Sequence, residues 1–153
     1  MIITIDVGNT NITVGVFNGD EIVASFRMTT KMPRTSDEYG MLLTNLLEQN
    51  RIHCDEIQDA IIASVVPNVM HSVVNAMKKY FNRQPILVGP GIKTGIRLSC
   101  DNPREIGPDR IVDAVGAYEL YGGPVIAMDF GTATTYDLIL LSLIHISEPT
   151  RQA

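Results

Sequence analysis

The chain has 153 residues, 45% of them hydrophobic, and 12 Lys and Arg against 17 Asp and Glu give a net charge of −5. That apolar content excludes a disordered chain, and the length suits about one domain able to bury its own core. The acidic balance argues against nucleic-acid binding, which rests on Lys/Arg clusters; backbone amides can still hold a small anion.

Ile2-Ile3-Thr4-Ile5 predicts a first strand, and Asp6 to Asn11 a polar, Gly-centred turn. Ile12 to Phe17 predicts a second strand, Asn18-Gly19 a hairpin, and Glu21 to Arg27 a third strand. Thr35 and Glu38 form a capping box, followed by Tyr39, Leu42, Leu43, Leu46 and Leu47 at helical spacing. The apolar run Asp59 to Val66, stopped by Pro67, predicts a strand buried on both faces. Val69, Val73, Met77 and Phe81 predict a second helix, and Pro85 to Val88 a short strand. Ile111, Val115, Tyr118 and Leu120 predict a third helix, entered near Pro108 and left at Gly122-Gly123.

The opening pattern then returns. Val125 to Asp129 leads into Phe130-Gly131-Thr132-Ala133-Thr134-Thr135 and a strand over Tyr136 to Ile139, matching the strand, Asp-x-Gly and strand of Ile5 to Thr13. An internal repeat of this kind marks the start of a second copy of one unit near residue 124. The expected organisation is a first domain over 1–122 and the truncated start of a similar domain over 123–139. The segment 140–153 is expected to be a non-native tail, reading like sequencing-adapter read-through joined to a truncated frame.

An Asp at a strand end can hold hydrated Mg2+, and a following Gly turn lets backbone amides approach phosphate. Two such turns facing each other would clamp a polyphosphate, whereas one alone is more often a tight hairpin. A GxxxxGK[ST] loop and a GxGxxG fingerprint are both absent. In Asp101-Asn102-Pro103-Arg104-Glu105-Ile106-Gly107-Pro108-Asp109-Arg110, Asp109 falls in the first turn of a helix. It can act as a cap complementing the helix dipole, or as an Arg-flanked proton acceptor. Arg104 and Arg110 can bind an anion or pair with Glu105 and Asp113. Cys54 and Cys100 have no CxxC partner, and His53, His71 and His145 share no metal-ligand spacing. The thiols fit a reducing compartment; the opening lacks a signal peptide and no apolar run reaches about 18 residues. Together these predict a cytoplasmic protein that does not enter a membrane.

Asp6 to Asn11, Ser64-Val65-Val66-Pro67, Asn102 to Arg110 and Asp129 to Thr135 occur in one chain, in that order. In this combination the chain resembles type III pantothenate kinases over residues 1 to about 139. The resemblance implies an α/β fold: a ribonuclease-H-like, actin-like βββαβα domain with a mixed sheet, then the start of a similar domain. It implies phosphorylation of pantothenate by ATP, the first step of coenzyme A synthesis, in a cytoplasmic homodimer using Mg2+ and a monovalent cation (K+ or NH4+). Carried over by position, ATP contacts fall on Asp6, Val7, Gly8, Asn9, Thr10, Asn11, Ile12, Thr13 and Thr132. Substrate contacts fall on Cys100, Gly107, Pro108, Asp109 and Arg110, with Asp109 as the proton acceptor. Asp129 falls on the monovalent-cation ligand, and Asp6 is a candidate for Mg2+. The family usually carries Tyr where Cys100 stands. Competing expectations are another small-molecule kinase, a non-catalytic nucleotide-binding regulator, and a carboxylate-metal nuclease. The chain by itself is expected to be inactive.

Overall fold

The structure is a computed structural model describing residues 1–89, 91–95, 97–99, 106–131, 134–140 and 143–146. It forms two compact units, Met1–Leu87 and Val88–Ala153.

The first unit contains β1 (Ile2–Val7), β2 (Asn11–Asn18), β3 (Glu21–Thr29), α1 (Ser36–Gln49), β4 (Asp59–Ser64), α2 (Pro67–Phe81) and β5 (Ile86–Leu87). Its sheet order is β3-β2-β1-β4-β5. The first three strands are antiparallel, and β4 and β5 run parallel to their neighbours. This is the mixed sheet that the resemblance implies. Period-two alternation builds it: Ile3, Ile5 and Val7 of β1 and Ile12, Val14 and Val16 of β2 are all buried. Tyr39, Leu43 and Leu47 of α1, with Val73, Ala76, Met77 and Phe81 of α2, join the same core. Each such aliphatic side chain contributes about 1.5–3 kcal/mol on burial, so this patterned face stabilises the unit far more than its surface pairs do. α1 and α2 approach closely at Gly40, where a Cβ would meet the Tyr80 ring at 2.1 Å.

Local signals end these elements. Asn18 pairs with Glu21, so Gly19-Asp20 is the two-residue loop, one position later than expected. Gly19 has φ +61 at the first loop position, where a type II′ hairpin favours Gly. β4 stops at Ser64 rather than Val66, because Pro67 takes the first helical position of α2 and Val66 becomes its cap. At α1 the expected capping box is complete: the Glu38 carboxylate accepts from Thr35 N–H at 2.7 Å and its hydroxyl at 2.9 Å. Glu38 N–H donates back to Thr35 Oγ1 at 3.3 Å.

Those bonds, the Thr35 backbone donor first, hold the Glu38 carboxyl below its ordinary pKa. A depressed carboxyl stabilises the fold above its unfolded value of about 4.3 and loses that contribution as pH falls through the lowered folded value. Asp37 is also lowered, chiefly by the hydrogen bond from Lys79, and acts in the same direction. Glu38→Gln keeps a capping acceptor that does not titrate. Acidification from pH 5 to pH 2 should therefore protect α1 amides less well in the parent, with a smaller loss in the Gln variant, as read by hydrogen exchange. Equal losses in both would remove Glu38 from the acid response.

The second unit contains β6 (Arg97–Ser99), α3 (Pro108–Tyr121), β7 (Val125–Phe130), β8 (Thr134–Ile139) and β9 (Leu143–Ile146), with sheet order β6-β9-β8-β7. Ala114 of α3 and Ile139 of β8 are buried together, with Ala117, Tyr118, Val125 and Ala127 against them. Leu120 is 76% exposed, contrary to its expected place on the packed face. Two positions beyond Tyr118 is about 200° around a helix, which turns Leu120 away. β6 and β9 were not expected. β9 lies in the segment set apart as a tail, carries no turn signal before it, and pairs antiparallel with β8, Ile139 opposite Ile144. The compact units divide at Leu87, whereas the sequence repeat divides the chain at 122/123. The difference arises because α3 packs on the β7–β8 hairpin that follows it.

Candidate functional site

β1 delivers Asp6 near its carboxyl end, opposite Thr13 of β2 and beside Ala63 of β4. Strand alternation turns Asp6 to solvent while Ile5 and Val7 enter the core. The chain then turns through Gly8–Asn11, closed by Gly8 N–H donating to Asn11 O at 3.0 Å. A Cβ at Gly8 would come within 3.2 Å of that carbonyl, tighter than an ordinary contact. Asn9, Thr10 and Asn11 are exposed at the tip, and Thr13 is half-buried. Val7 and Ile12 are fully buried, so any ligand contact from them is restricted to their backbone.

The repeat is present in three dimensions. Asp129 sits one residue before the end of β7, as Asp6 does in β1, and lies opposite Thr135 of β8. Asp129 and Gly131 are exposed. Phe130 pairs with Thr134 where Val7 pairs with Ile12, so the second turn is one residue shorter than the first. Thr132, expected to contact ATP, lies outside the described residues, as do Cys100 and Arg104.

Gly107 caps α3 in extended conformation, Pro108 occupies its first position, and Asp109 follows. Pro preorganises this start, and an acid in the first turn complements the helix dipole. Asp109 is half-buried, and its Oδ1 accepts the Arg110 N–H at 2.9 Å. Among the described residues its Oδ2 has no hydrogen bond.

Arg110 makes an ion pair that was not anticipated. Its Nε and Nη2 donate to Asp137 Oδ1 at 3.1 and 2.5 Å, and Nη2 also donates to Tyr136 O at 3.2 Å. The side chains are only 12% and 4% exposed. The local partner considered from the sequence was Asp113; this partner stands 27 residues away, on β8. The only available signal was a charge inside the apolar run Tyr136-Asp137-Leu138-Ile139, since a buried carboxylate requires a partner. The bond ties the first turn of α3 to the hairpin carrying Asp129.

Among the described residues, no group of three or more His, Cys, Asp or Glu could hold a metal ion. Among the described residues, each Asp-x-Gly turn carries one exposed carboxylate. That suits a hard cation taking its other ligands from water and phosphate oxygens. Among the described residues, no helix is long and apolar enough to cross a membrane.

The family model for type III pantothenate kinase matches residues 2–142. The type III pantothenate kinase of Agathobacter rectalis is 70% identical over 139 residues, 91% of this chain and 54% of its own length. That of Bifidobacterium animalis subsp. lactis is 48% identical over 139 residues, 91% of this chain and 55% of its own length. Among solved structures, the ethanolamine utilization protein EutJ from Carboxydothermus hydrogenoformans aligns over 98% of this chain and 52% of its own, with TM-score 0.54. At 17% identity that likeness concerns the fold alone. The chain spans about half the length of the curated relatives it matches. The family match runs through both Asp-x-Gly hairpins and the Gly107–Arg110 turn, and the chain belongs to the type III pantothenate kinase family.

Proposed function

We propose that the chain belongs to an enzyme that transfers the γ-phosphoryl group of ATP to the primary hydroxyl of pantothenate. The products are 4'-phosphopantothenate and ADP, opening coenzyme A synthesis in the cytoplasm. The observation that carries this reading is Asp109 in the first turn of α3, within a family match containing both Asp-x-Gly hairpins.

The Asp109 carboxylate orients the pantothenate hydroxyl and accepts its proton as the oxygen attacks the γ-phosphorus. The bond from that phosphorus to its bridging oxygen breaks, and ADP leaves. Such transfer depends mainly on positioning and charge neutralisation. The Gly8–Asn11 turn, with Thr13 and Thr132, holds phosphates. Gly107, Pro108 and Arg110 shape the substrate side, together with Cys100. Asp6 would hold Mg2+ and Asp129 a potassium or ammonium ion; bound there, the cations neutralise phosphate charge. A homodimer is part of the same reading.

The test is phosphopantothenate formation from ATP by the protein encoded at this chain's own locus, with sugars and nucleic acid as controls. Transfer to a sugar but not to pantothenate would overturn the reading. Within that assay, Asp129→Ala should abolish stimulation by potassium while leaving the melting temperature within a few degrees, because a carboxylate is a natural ligand for a hard cation. An unchanged potassium dependence would free Asp129 of that role.

A further inference from the structure

We propose that Thr30 is a positioning residue for the Gly8–Asn11 turn, fixing the direction of its peptide groups toward a bound phosphate. The proposal rests on the nucleotide reading of that turn. Thr30 follows the last residue of β3 and is 8% exposed. It holds the turn twice. Its hydroxyl donates to Gly8 O at 2.8 Å, and its backbone N–H donates to Thr10 O at 2.9 Å. In a trans peptide the carbonyl and the following N–H point in opposite directions. The peptides after Gly8 and Thr10 are trans. Anchoring the Gly8 and Thr10 carbonyls on Thr30 therefore aims the N–H groups of Asn9 and Asn11 away from it. Two donors held on one side in advance of binding suit an oxyanion, because no reorientation is needed when it arrives.

The alternative is that Thr30 only ends β3. Its backbone bond to Thr10 would serve that purpose alone. The side-chain bond to Gly8 is separate, reaches 22 residues back along the chain, and acts on the Gly of the motif. A Gly is free to rotate its peptide, so an external tether has most effect there. Nothing local in the sequence marks Thr30, which lies in the polar run Thr29-Thr30-Lys31.

The experiment compares Thr30→Val, close in shape but without the hydroxyl, with Thr30→Ser, which keeps it, in the protein encoded at this chain's own locus. Two quantities are read: amide exchange at residues 8–11 without ligand, and MgATP affinity by calorimetry. The Val variant should raise exchange in the turn and weaken MgATP about tenfold, the loss of one well-placed hydrogen bond. The Ser variant should stay within about threefold of the parent in both. Exchange of the β1 and β4 core amides reports whether the Val variant is folded. Unchanged exchange in a folded Val variant, or MgATP binding within about twofold of the parent, would overturn the proposal and leave the nucleotide reading intact. Failure of the parent protein from that locus to bind MgATP would overturn both.

Discussion

Replacing Asp109 by Asn should lower phosphopantothenate formation by about 10²–10⁴-fold, the range typical of losing a general base. Stability should change by less than about 1 kcal/mol, because the carboxylate's structural contribution is an interaction with the α3 dipole and one hydrogen bond to the Arg110 N–H. The amide of Asn can still accept that bond, so the turn after Gly107 should hold its shape. What the variant loses is the ability to take a proton from a primary alcohol. The KM for ATP should change little, since the phosphate contacts are assigned to other residues. Near-parent turnover in the Asn variant would return Asp109 to the role of helix acid. A collapse in melting temperature would show instead that the loop depends on its charge.

The parts of this fold that could be read beforehand are those with local causes. The three-strand meander follows from alternation and a Gly at the hairpin, and α1 from its capping box. α2 follows from apolar spacing and from Pro67. The repeat of Asp6-x-Gly8 as Asp129-x-Gly131 was legible because it is a copied local pattern, and both copies form hairpins with Asp one residue before the strand end. What was not legible depends on distant pairing. β6 has three residues and a partner 46 positions later, Arg97 opposite Leu143, with little intrinsic signal in so short a run. Leu120 was misplaced because helical spacing was extended one residue too far. Thr30 carried no signal because a tether that acts through another segment's carbonyl leaves no spacing pattern. The same is true of Asp137. From the sequence Arg110 had nearby acids to choose from, and the structure pairs it with a carboxylate on β8.

That pairing sets the second large effect. Asp137→Ala should destabilise the second unit by about 3–5 kcal/mol, because it removes the buried carboxylate that accepts two hydrogen bonds from the Arg110 guanidinium. The two side chains are 12% and 4% exposed, so water screens the pair little and cannot easily replace the lost partner. Tyr136 O can satisfy one guanidinium hydrogen bond but brings no negative charge. The asymmetry distinguishes this from the exposed pair between Lys79 and Asp37, 61% and 52% exposed, where losing one partner should cost little. Removing both charges together, as Arg110→Met with Asp137→Leu, should recover much of the stability, since apolar replacements of a buried pair are often neutral or better. Activity should not recover with it. The pair fastens the first turn of α3 to β8, and Asp109 is the residue immediately before Arg110. An apolar contact would hold the helix without the directional bonds that fix its first turn. Hydrogen exchange at α3 and β8 amides measures the stability half, and turnover with pantothenate the other. A single Ala variant within about 1 kcal/mol of the parent would mean that the pair is as weak as a surface bridge. A double variant with full turnover would mean that Asp109 is positioned without it.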